Sequence, residues 1–277
     1  MCRTVRQHSE RLITEGFTIV RQLVPAAQLL VIDRSMRAHA ERVMTALGSR
    51  SIGIGSRDGY IEIVQRSPGR FDVPIFDERF FDPIWGAEGS AAASVPWMNL
   101  VHESLGPEAR PSFSGVVFSK PGSPAQQWHI DSPHESAEHR PAHAINVLLA
   151  LADIAIEAGP TQVASRTHHL TNHLRRPGLF ECDDLLYQTS REMTPDTLFE
   201  LVRARDGAAP AAVETTSPEA LQAGDCLVFD DRLLHRGLGN ESTAERWVAY
   251  FSYMRPREGT IIETHFEATR SLFSVQG

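Results

Sequence analysis

Two histidines and one aspartate have the types and the spacing of an iron(II) ligand set. His129 and Asp131 are separated by one residue, and His235 follows much later in the chain. Two histidines and one carboxylate occupy one face of an octahedral metal and leave three positions open. Those positions can hold a chelating cosubstrate and O2. The three residues therefore predict a metal and also a class of reaction.

The segment around His129 is predicted to be extended. Side chains at positions i and i+2 of a β-strand point to the same face, and Pro124 disfavours a helix here. We therefore predict a strand over residues 127–131, with His129 and Asp131 both facing inward. On such a strand Gln127 shares their face.

Arg246 is placed to bind an anionic cosubstrate. It begins the apolar run 247–254, and His235 follows the buried strand predicted over 226–230 and a turn. An arginine beside the metal can hold the far carboxylate of a dicarboxylate through paired hydrogen bonds. Alternatively, Arg246 is an ion-paired strand residue with no part in binding.

Taken together, these motifs resemble the phytanoyl-CoA dioxygenase family of iron(II)/2-oxoglutarate oxygenases, over roughly residues 14–256. The resemblance is carried by His129-x-Asp131, Gly224-Asp225, His235-Arg236-Gly237, Asn240, Arg246, the opening Gly16 to Val20 before a proline-started helix, and Ala158 to Gln162. Where the family usually has Pro-Gly-Ser/Thr-His, this chain has Ser165-Arg166-Thr167-His168.

The resemblance implies a mainly β fold with flanking helices and a double-stranded β-helix (jelly-roll, cupin-like) core. It assigns His129, Asp131 and His235 as catalytic ligands of Fe(II), with 2-oxoglutarate and O2 as cosubstrates. Related halogenases replace the carboxylate with Ala or Gly, so Asp131 implies an oxygenase. By the same resemblance Arg246 anchors 2-oxoglutarate, and Gln127 and Thr161 contact it.

Composition excludes several other classes of protein. The chain has 277 residues, of which 42% are hydrophobic and 22% charged, which is enough for a large core. The net charge of −8 and the lack of a basic stripe argue against nucleic acid as a partner. Three cysteines form no disulfide framework, and residues 1–15 lack an apolar signal core. We therefore expect a cytoplasmic protein with no membrane partner.

We expect a single oxygenase domain over residues 1–277. A helical N-terminal part covers about 1–110, and the jelly-roll core covers about 111–256 with a lid insert at about 166–211. Helices are predicted from Pro25 to Gly48, from Trp97 to Leu105, and between Thr194 and Gly207, because capping residues flank each segment. Strands are predicted at 60–65, 113–119, 127–131, 144–152, 161–164, 212–216, 226–230 and 246–254.

Several reactions and functions stay open at this level. Hydroxylation of an unactivated C–H bond is the default outcome, with release of succinate and CO2. Desaturation, cyclisation and endoperoxide formation need the same oxidant. One alternative is a metal hydrolase or isomerase on a similar barrel, which would need no Arg246 anchor. Another is a non-catalytic binding protein, which would bind without turnover. The expected substrate is a small or medium-sized metabolite of secondary metabolism, and no oligomeric state is predicted.

Seven residues are candidates for contact with the substrate. Three arginines are candidates for an acidic group of the substrate, although surface positions are the better expectation: Arg66, Arg70 and Arg140. Four phenylalanines either line an apolar pocket or fill the core: Phe71, Phe76, Phe80 and Phe81. The roles of Asn146, His134 and His168 are left open.

Overall fold

The computed structural model describes residues 3–55, 59–75, 95–132, 139–171, 194–207, 215–216, 218–255 and 270–273. Its helices are α1 (Arg3–Glu15), α2 (Ala26–Leu47), α3 (Met98–Leu105) and α4 (Pro195–Asp206). Its strands are β1 (Phe17–Val20), β2 (Val64–Ser67), β3 (Arg70–Ile75), β4 (Arg110–Ser119), β5 (Ala144–Ala150), β6 (Thr161–Val163), β7 (Cys226–Asp230), β8 (His235–Gly237) and β9 (Arg246–Met254).

The strands form two antiparallel sheets. Seven strands make the large sheet, in the order β1-β7-β5-β9-β4-β3-β2, and β6 pairs with β8 in a small second sheet. Most neighbours in the large sheet are not consecutive in sequence, as in a jelly roll, where the chain crosses repeatedly between sheets. The predicted jelly-roll class, mainly β with flanking helices, is confirmed.

Alternation along β9 separates the core from the candidate site. Its odd-numbered residues, Trp247, Ala249, Phe251 and Tyr253, lie in one hydrophobic cluster with the buried face of α2. Successive strand residues face opposite sides of a sheet. The other face of β9 therefore carries Arg246, Tyr250 and Ser252, all of them buried. The large sheet thus has an apolar outer face covered by helices and an inner face rich in polar groups.

The predicted helices begin and end as their capping residues indicate. Helix α2 follows Pro25 and stops at Gly48, whose φ of 58° lies in the left-handed region. Helix α4 is capped by the Thr194 hydroxyl, which accepts the backbone N–H of Thr197 at 3.1 Å. Among the described helices, none has the length and apolar character that crossing a membrane requires.

Several local predictions are wrong or only partly right. Residues 127–131 form a single β-bridge, at His129, instead of a strand. The predicted strand 60–65 begins with a turn that is closed by a bridge between Tyr60 and Ile63, and the regular strand starts only at Val64. The N-terminal part, predicted to be helical, adds β1, β2 and β3 to the large sheet. Helix α1 was not predicted. Most of the predicted strand 212–216 lies outside the described residues.

Candidate active site

The structure brings His129, Asp131 and His235 together. One potential ligand atom from each lies within 4.8 Å of the others. Asp131 Oδ1 is 4.0 Å from His129 Nε2 and 3.7 Å from His235 Nε2. The two histidines are direct partners across an antiparallel bridge and exchange two backbone hydrogen bonds of 2.9 Å. Residues paired in this way point to the same side, so this one bridge places both imidazoles beside the carboxylate.

Both histidine rings are oriented by their own local backbone. His129 Nδ1 lies 2.8 Å from the carbonyl oxygen of Gln127, and His235 Nδ1 lies 3.0 Å from that of Leu233. A carbonyl only accepts, so each Nδ1 donates, and in the neutral ring the Nε2 lone pair is left for a metal. Burial and the neighbouring His235 ring lower the pKa of His129, which keeps its imidazole neutral.

The Asp131 carboxylate is held by a hydrogen-bonded chain on the inner face. Asn146 Nδ2 donates to Asp131 Oδ2 at 2.6 Å, and Asn146 Oδ1 accepts from the Ser252 hydroxyl. Asn146 and Ser252 are register partners on β5 and β9. Because Oδ2 is engaged, Oδ1 is left facing the two imidazoles. Two neutral nitrogen donors and one carboxylate oxygen, without cysteine, fit Fe(II) with open positions.

The turn before His235 is fixed by buried polar contacts. Arg232 and Asp230 form a two-point ion pair with N···O distances of 2.7 and 2.5 Å, and both side chains are almost fully buried. The backbone N–H of Leu234 donates to the Thr167 hydroxyl at 2.9 Å. Such contacts hold His235 in place without a metal, which would reduce the ordering that metal binding requires.

Arg166, where the chain departs from the family motif, still forms a tight turn. Its φ of 66° lies in the left-handed region, which a non-glycine residue occupies only with compensation. Glu15 supplies it, because its carboxylate accepts from Arg166 Nε at 3.1 Å and Nη2 at 2.9 Å, and from the Ser165 hydroxyl at 2.6 Å. The turn that carries Thr167 therefore forms here without glycine.

Arg246 is a buried cation on the inner face of β9. Only 5% of it is exposed; Nη1 donates to the Gly159 carbonyl, and Nε has no hydrogen-bond partner. Burial, together with the charge of Arg70, lowers the pKa of Arg246 to about 9, so the guanidinium is still charged at neutral pH. The alternative that Arg246 is an ion-paired residue finds no support, since it contacts no carboxylate in the described part of the chain.

Gln127 and Thr161, the other two predicted cosubstrate contacts, are not buried as Arg246 is. Gln127 is exposed, outside any strand, and its backbone carbonyl accepts from His129. The neighbouring Gln126 accepts the Gly237 N–H at 3.2 Å instead. Thr161 is the register partner of Gly237 and borders a small pocket lined also by residues of β1 and β7. The side-chain roles of Gln127 and Thr161 stay predictions.

Of the three candidate substrate arginines, Arg70 is fully buried, Arg66 is part-buried and Arg140 is exposed. Arg70 is fully buried and donates to backbone carbonyls. Arg66 binds Asp72 through Nε at 2.9 Å and Nη2 at 2.7 Å, and Tyr250 donates to the other Asp72 oxygen at 2.8 Å. Arg140 is exposed, as expected.

The remaining residues without an assigned role either have contacts away from the candidate metal cluster or lie outside the described residues. His168 is buried, 3.1 Å from the Ile13 carbonyl through Nε2, and has no contact with the metal cluster. Phe71 stacks obliquely on Phe118, with ring centroids 5.3 Å apart. Phe76, Phe80, Phe81 and His134 lie outside the described residues.

Comparison with solved structures supports the same fold. The chain resembles the non-heme α-ketoglutarate-dependent carbocyclase SnoK from nogalamycin biosynthesis, with a TM-score of 0.56 at 15% identity over 90% of this chain and 83% of that one. HygX from Streptomyces hygroscopicus, solved with nickel and 2-oxoglutarate bound, matches with a TM-score of 0.54 at 14% identity over 90% and 87%. AviO1 from Streptomyces viridochromogenes Tue57 matches with a TM-score of 0.53 at 18% identity over 91% and 95%.

The sequence itself matches a family model over residues 13–248, a span that contains all three candidate ligands and Arg246. The cluster of His129, Asp131 and His235 could hold a metal ion, and two histidines with one carboxylate suit Fe(II). The chain therefore belongs to the phytanoyl-CoA dioxygenase family and is an Fe(II)/2-oxoglutarate-dependent oxygenase.

Proposed function

We propose that this oxygenase oxidises an unactivated C–H bond of a small or medium-sized metabolite, with hydroxylation as the outcome and with release of succinate and CO2. The observation that carries the proposal is the cluster of His129, Asp131 and His235, whose ligand atoms lie within 4.8 Å of one another. A carboxylate at position 131 leaves no vacancy for a halide in the ligand set, which favours oxygen insertion.

The residues have separate roles in this proposal. His129 and His235 bind Fe(II) through Nε2 while their Nδ1–H groups stay on backbone carbonyls. Asp131 binds through Oδ1 while Asn146 retains Oδ2. Arg246 binds the far carboxylate of 2-oxoglutarate by charge-assisted hydrogen bonds. Bound iron(II) and 2-oxoglutarate together supply the O2 activation, and the protein supplies binding, orientation and exclusion of water.

The proposed substrate class rests on analogy and on charge. SnoK belongs to nogalamycin biosynthesis, and HygX has been solved with hygromycin B bound, so the same fold serves natural-product chemistry in those two proteins. The net charge of −8 does not favour a phosphate-rich coenzyme A ester. Residues 172–193 and 208–211 of the predicted lid insert at about 166–211 lie outside the described residues, and the role of this insert stays a prediction.

The proposal is tested by adding iron(II) and then 2-oxoglutarate to the purified apoprotein under anaerobic conditions. A weak visible charge-transfer band that requires both additions is expected, because the keto acid chelates the metal. Arg246→Met is expected to shift the titration with 2-oxoglutarate to higher concentration while iron binding is retained. If iron binds but no band forms in the wild type, the cosubstrate assignment is wrong and a hydrolase or binding protein on this fold becomes the better account.

The outcome of the reaction is tested separately. Candidate metabolites are screened by succinate release above the uncoupled background, and products are analysed by mass. A gain of one oxygen atom derived from labelled O2 is expected. Loss of two hydrogens without a gain of oxygen would replace hydroxylation by desaturation or cyclisation.

A further inference from the structure

Three apolar side chains lie directly behind the two bridged histidines. His129 and His235 exchange two backbone hydrogen bonds of 2.9 Å in a single antiparallel bridge. Side chains alternate between the two sides of extended backbone, so the chain neighbours of these histidines point away from the ligand nitrogen atoms. These neighbours belong to one hydrophobic cluster, and none is more than 4% exposed: Trp128, Ile130 and Leu234.

Helix α4 supplies the other side of this cluster. Leu198 is fully buried and Val202 is 3% exposed, and positions four residues apart share one face of a helix. Both side chains lie in the same cluster as the neighbours of the histidines. We call this set the rear cluster: Trp128, Ile130, Ala164, Leu198, Val202 and Leu234. Helix α4 therefore packs on the side of the bridge that faces away from the candidate metal position.

Trp128 is also held from the small sheet. The guanidinium of Arg236 lies over the indole, with its central carbon 4.6 Å from the ring centroid. Arg236 Nε donates to Gln162 Oε1 at 2.9 Å, and these two residues are register partners on β8 and β6. A cation over the face of a tryptophan is attracted by the ring. The indole is thus fixed by the small sheet and by the rear cluster together.

Packing has an unusual share in positioning the metal-ligand candidates. Residues 127–131 form one bridge and no regular strand, so no continuous ladder fixes this segment on both sides of His129. A functional side chain must be held within about 0.5 Å of its productive geometry. Loss of an outer partner that orients a metal ligand typically lowers metal affinity about 10- to 100-fold. The rear cluster is placed to act as such a partner for both histidines.

We propose that α4 supports the metal-ligand bridge, with Leu198 and Val202 as positioning residues that act through the chain neighbours of His129 and His235. This inference rests on the proposed function, because it requires the two histidines to bind Fe(II). Linkage makes the effect reciprocal: if packed α4 favours metal binding, bound metal favours packed α4 by the same free energy. Both directions can be measured.

The first test measures iron(II) affinity by anaerobic competition with a chelator. Leu198→Ala leaves a cavity in the rear cluster and should weaken iron(II) binding by about tenfold or more. Leu105→Ala is the matched control, because Leu105 is also a helical leucine and only 2% exposed, but it lies in the main hydrophobic cluster. The control should lose stability and keep its iron(II) affinity within about twofold of the wild type. Leu198→Met nearly conserves the volume and should stay within about threefold.

The second test uses the wild type alone. Amide hydrogen exchange is compared between the metal-free protein and the protein loaded anaerobically with iron(II). The amides of α4 should exchange at least about fivefold more slowly with iron(II), because the bound metal disfavours openings in which α4 separates from the bridge. The amides of α3, which packs in the main hydrophobic cluster, should change by less than about twofold.

The outcomes separate this inference from the proposed function. Unchanged iron(II) affinity in Leu198→Ala, or a loss equal to that of Leu105→Ala, would contradict the inference. Exchange from α4 that iron(II) does not slow would contradict it as well, and this result decides the case if Leu198→Ala does not fold. A wild type that binds no iron(II) would instead overturn the proposed ligand set itself.

Discussion

Replacing Asn146 with alanine should weaken metal binding while the protein stays folded. In the structure Asn146 Nδ2 donates to Asp131 Oδ2 at 2.6 Å, so the carboxylate is oriented before any metal arrives. A hydrogen bond to a charged group contributes about 1.5–3 kcal/mol, which corresponds to about a 10- to 100-fold change in affinity. Loss of an outer partner of a metal ligand has effects of the same size in other sites.

The assay is an anaerobic competition between the protein and a chelator for iron(II). Asn240→Ala is the matched control, because Asn240 is also a buried amide whose Nδ2 donates two bonds, to the Ser119 and Ala244 carbonyls at 2.9 and 2.8 Å, and none to a ligand. Both variants should lose stability, but only Asn146→Ala should lose metal affinity. Equal metal affinity in Asn146→Ala and the wild type, or an equal loss in the control, would refute the reasoning.

Three further outcomes are expected. His235→Ala should abolish iron-dependent turnover and leave the far-UV circular dichroism spectrum unchanged; retained turnover would mean that the ligand assignment is wrong. Gly16→Ala should destabilise the protein by at least about 2 kcal/mol in urea unfolding, because φ is +83° and the new Cβ would lie 2.5 Å from His168 Nδ1; a smaller loss would show that the neighbours yield easily. Burial lowers the pKa of His168 to about 4 in the folded protein. As the pH falls, the unfolded chain therefore protonates this imidazole before the folded protein does. The stability contributed by the neutral His168 is fully present above about pH 6.5 and is lost as the pH falls towards 4. Between pH 7.5 and pH 5 the metal-free wild type should therefore lose about 2 kcal/mol more than His168→Gln, and equal pH dependence would contradict a neutral, buried His168.

Local patterns in the sequence were sufficient for the regular elements with clear boundaries. Helix α2 could be predicted because its buried residues recur at helical spacing between Pro25 and Gly48. Strand β9 could be predicted from a long apolar run. The run did not show that one face of the strand packs in the hydrophobic core and the other carries buried polar groups. The extended strand predicted at 127–131 was wrong, because the segment pairs only at His129. A single bridge depends on the distant His235, which no local pattern describes.

In the candidate site, too, one part could be predicted from the sequence and another part depends on the tertiary structure. The types and spacing of His129, Asp131 and His235 in the sequence were enough to predict a ligand set, since metal chemistry limits which side chains can bind together. Two features depend on contacts from other strands: the close approach of the three residues, and the orientation of Asp131 Oδ1 towards the two imidazoles.

Only the tertiary structure decided which further polar residues support the site. The sequence singled out Asn146 without a role and Arg70 only as a candidate substrate arginine, and neither lies in a motif with the candidate metal ligands. Their importance comes from sheet register: β5 places Asn146 against Asp131, and β3 places Arg70 in line with Arg246. Register is set by pairing between strands that are far apart in the chain, and burial then turns an ordinary amide or guanidinium into a group that must find a partner.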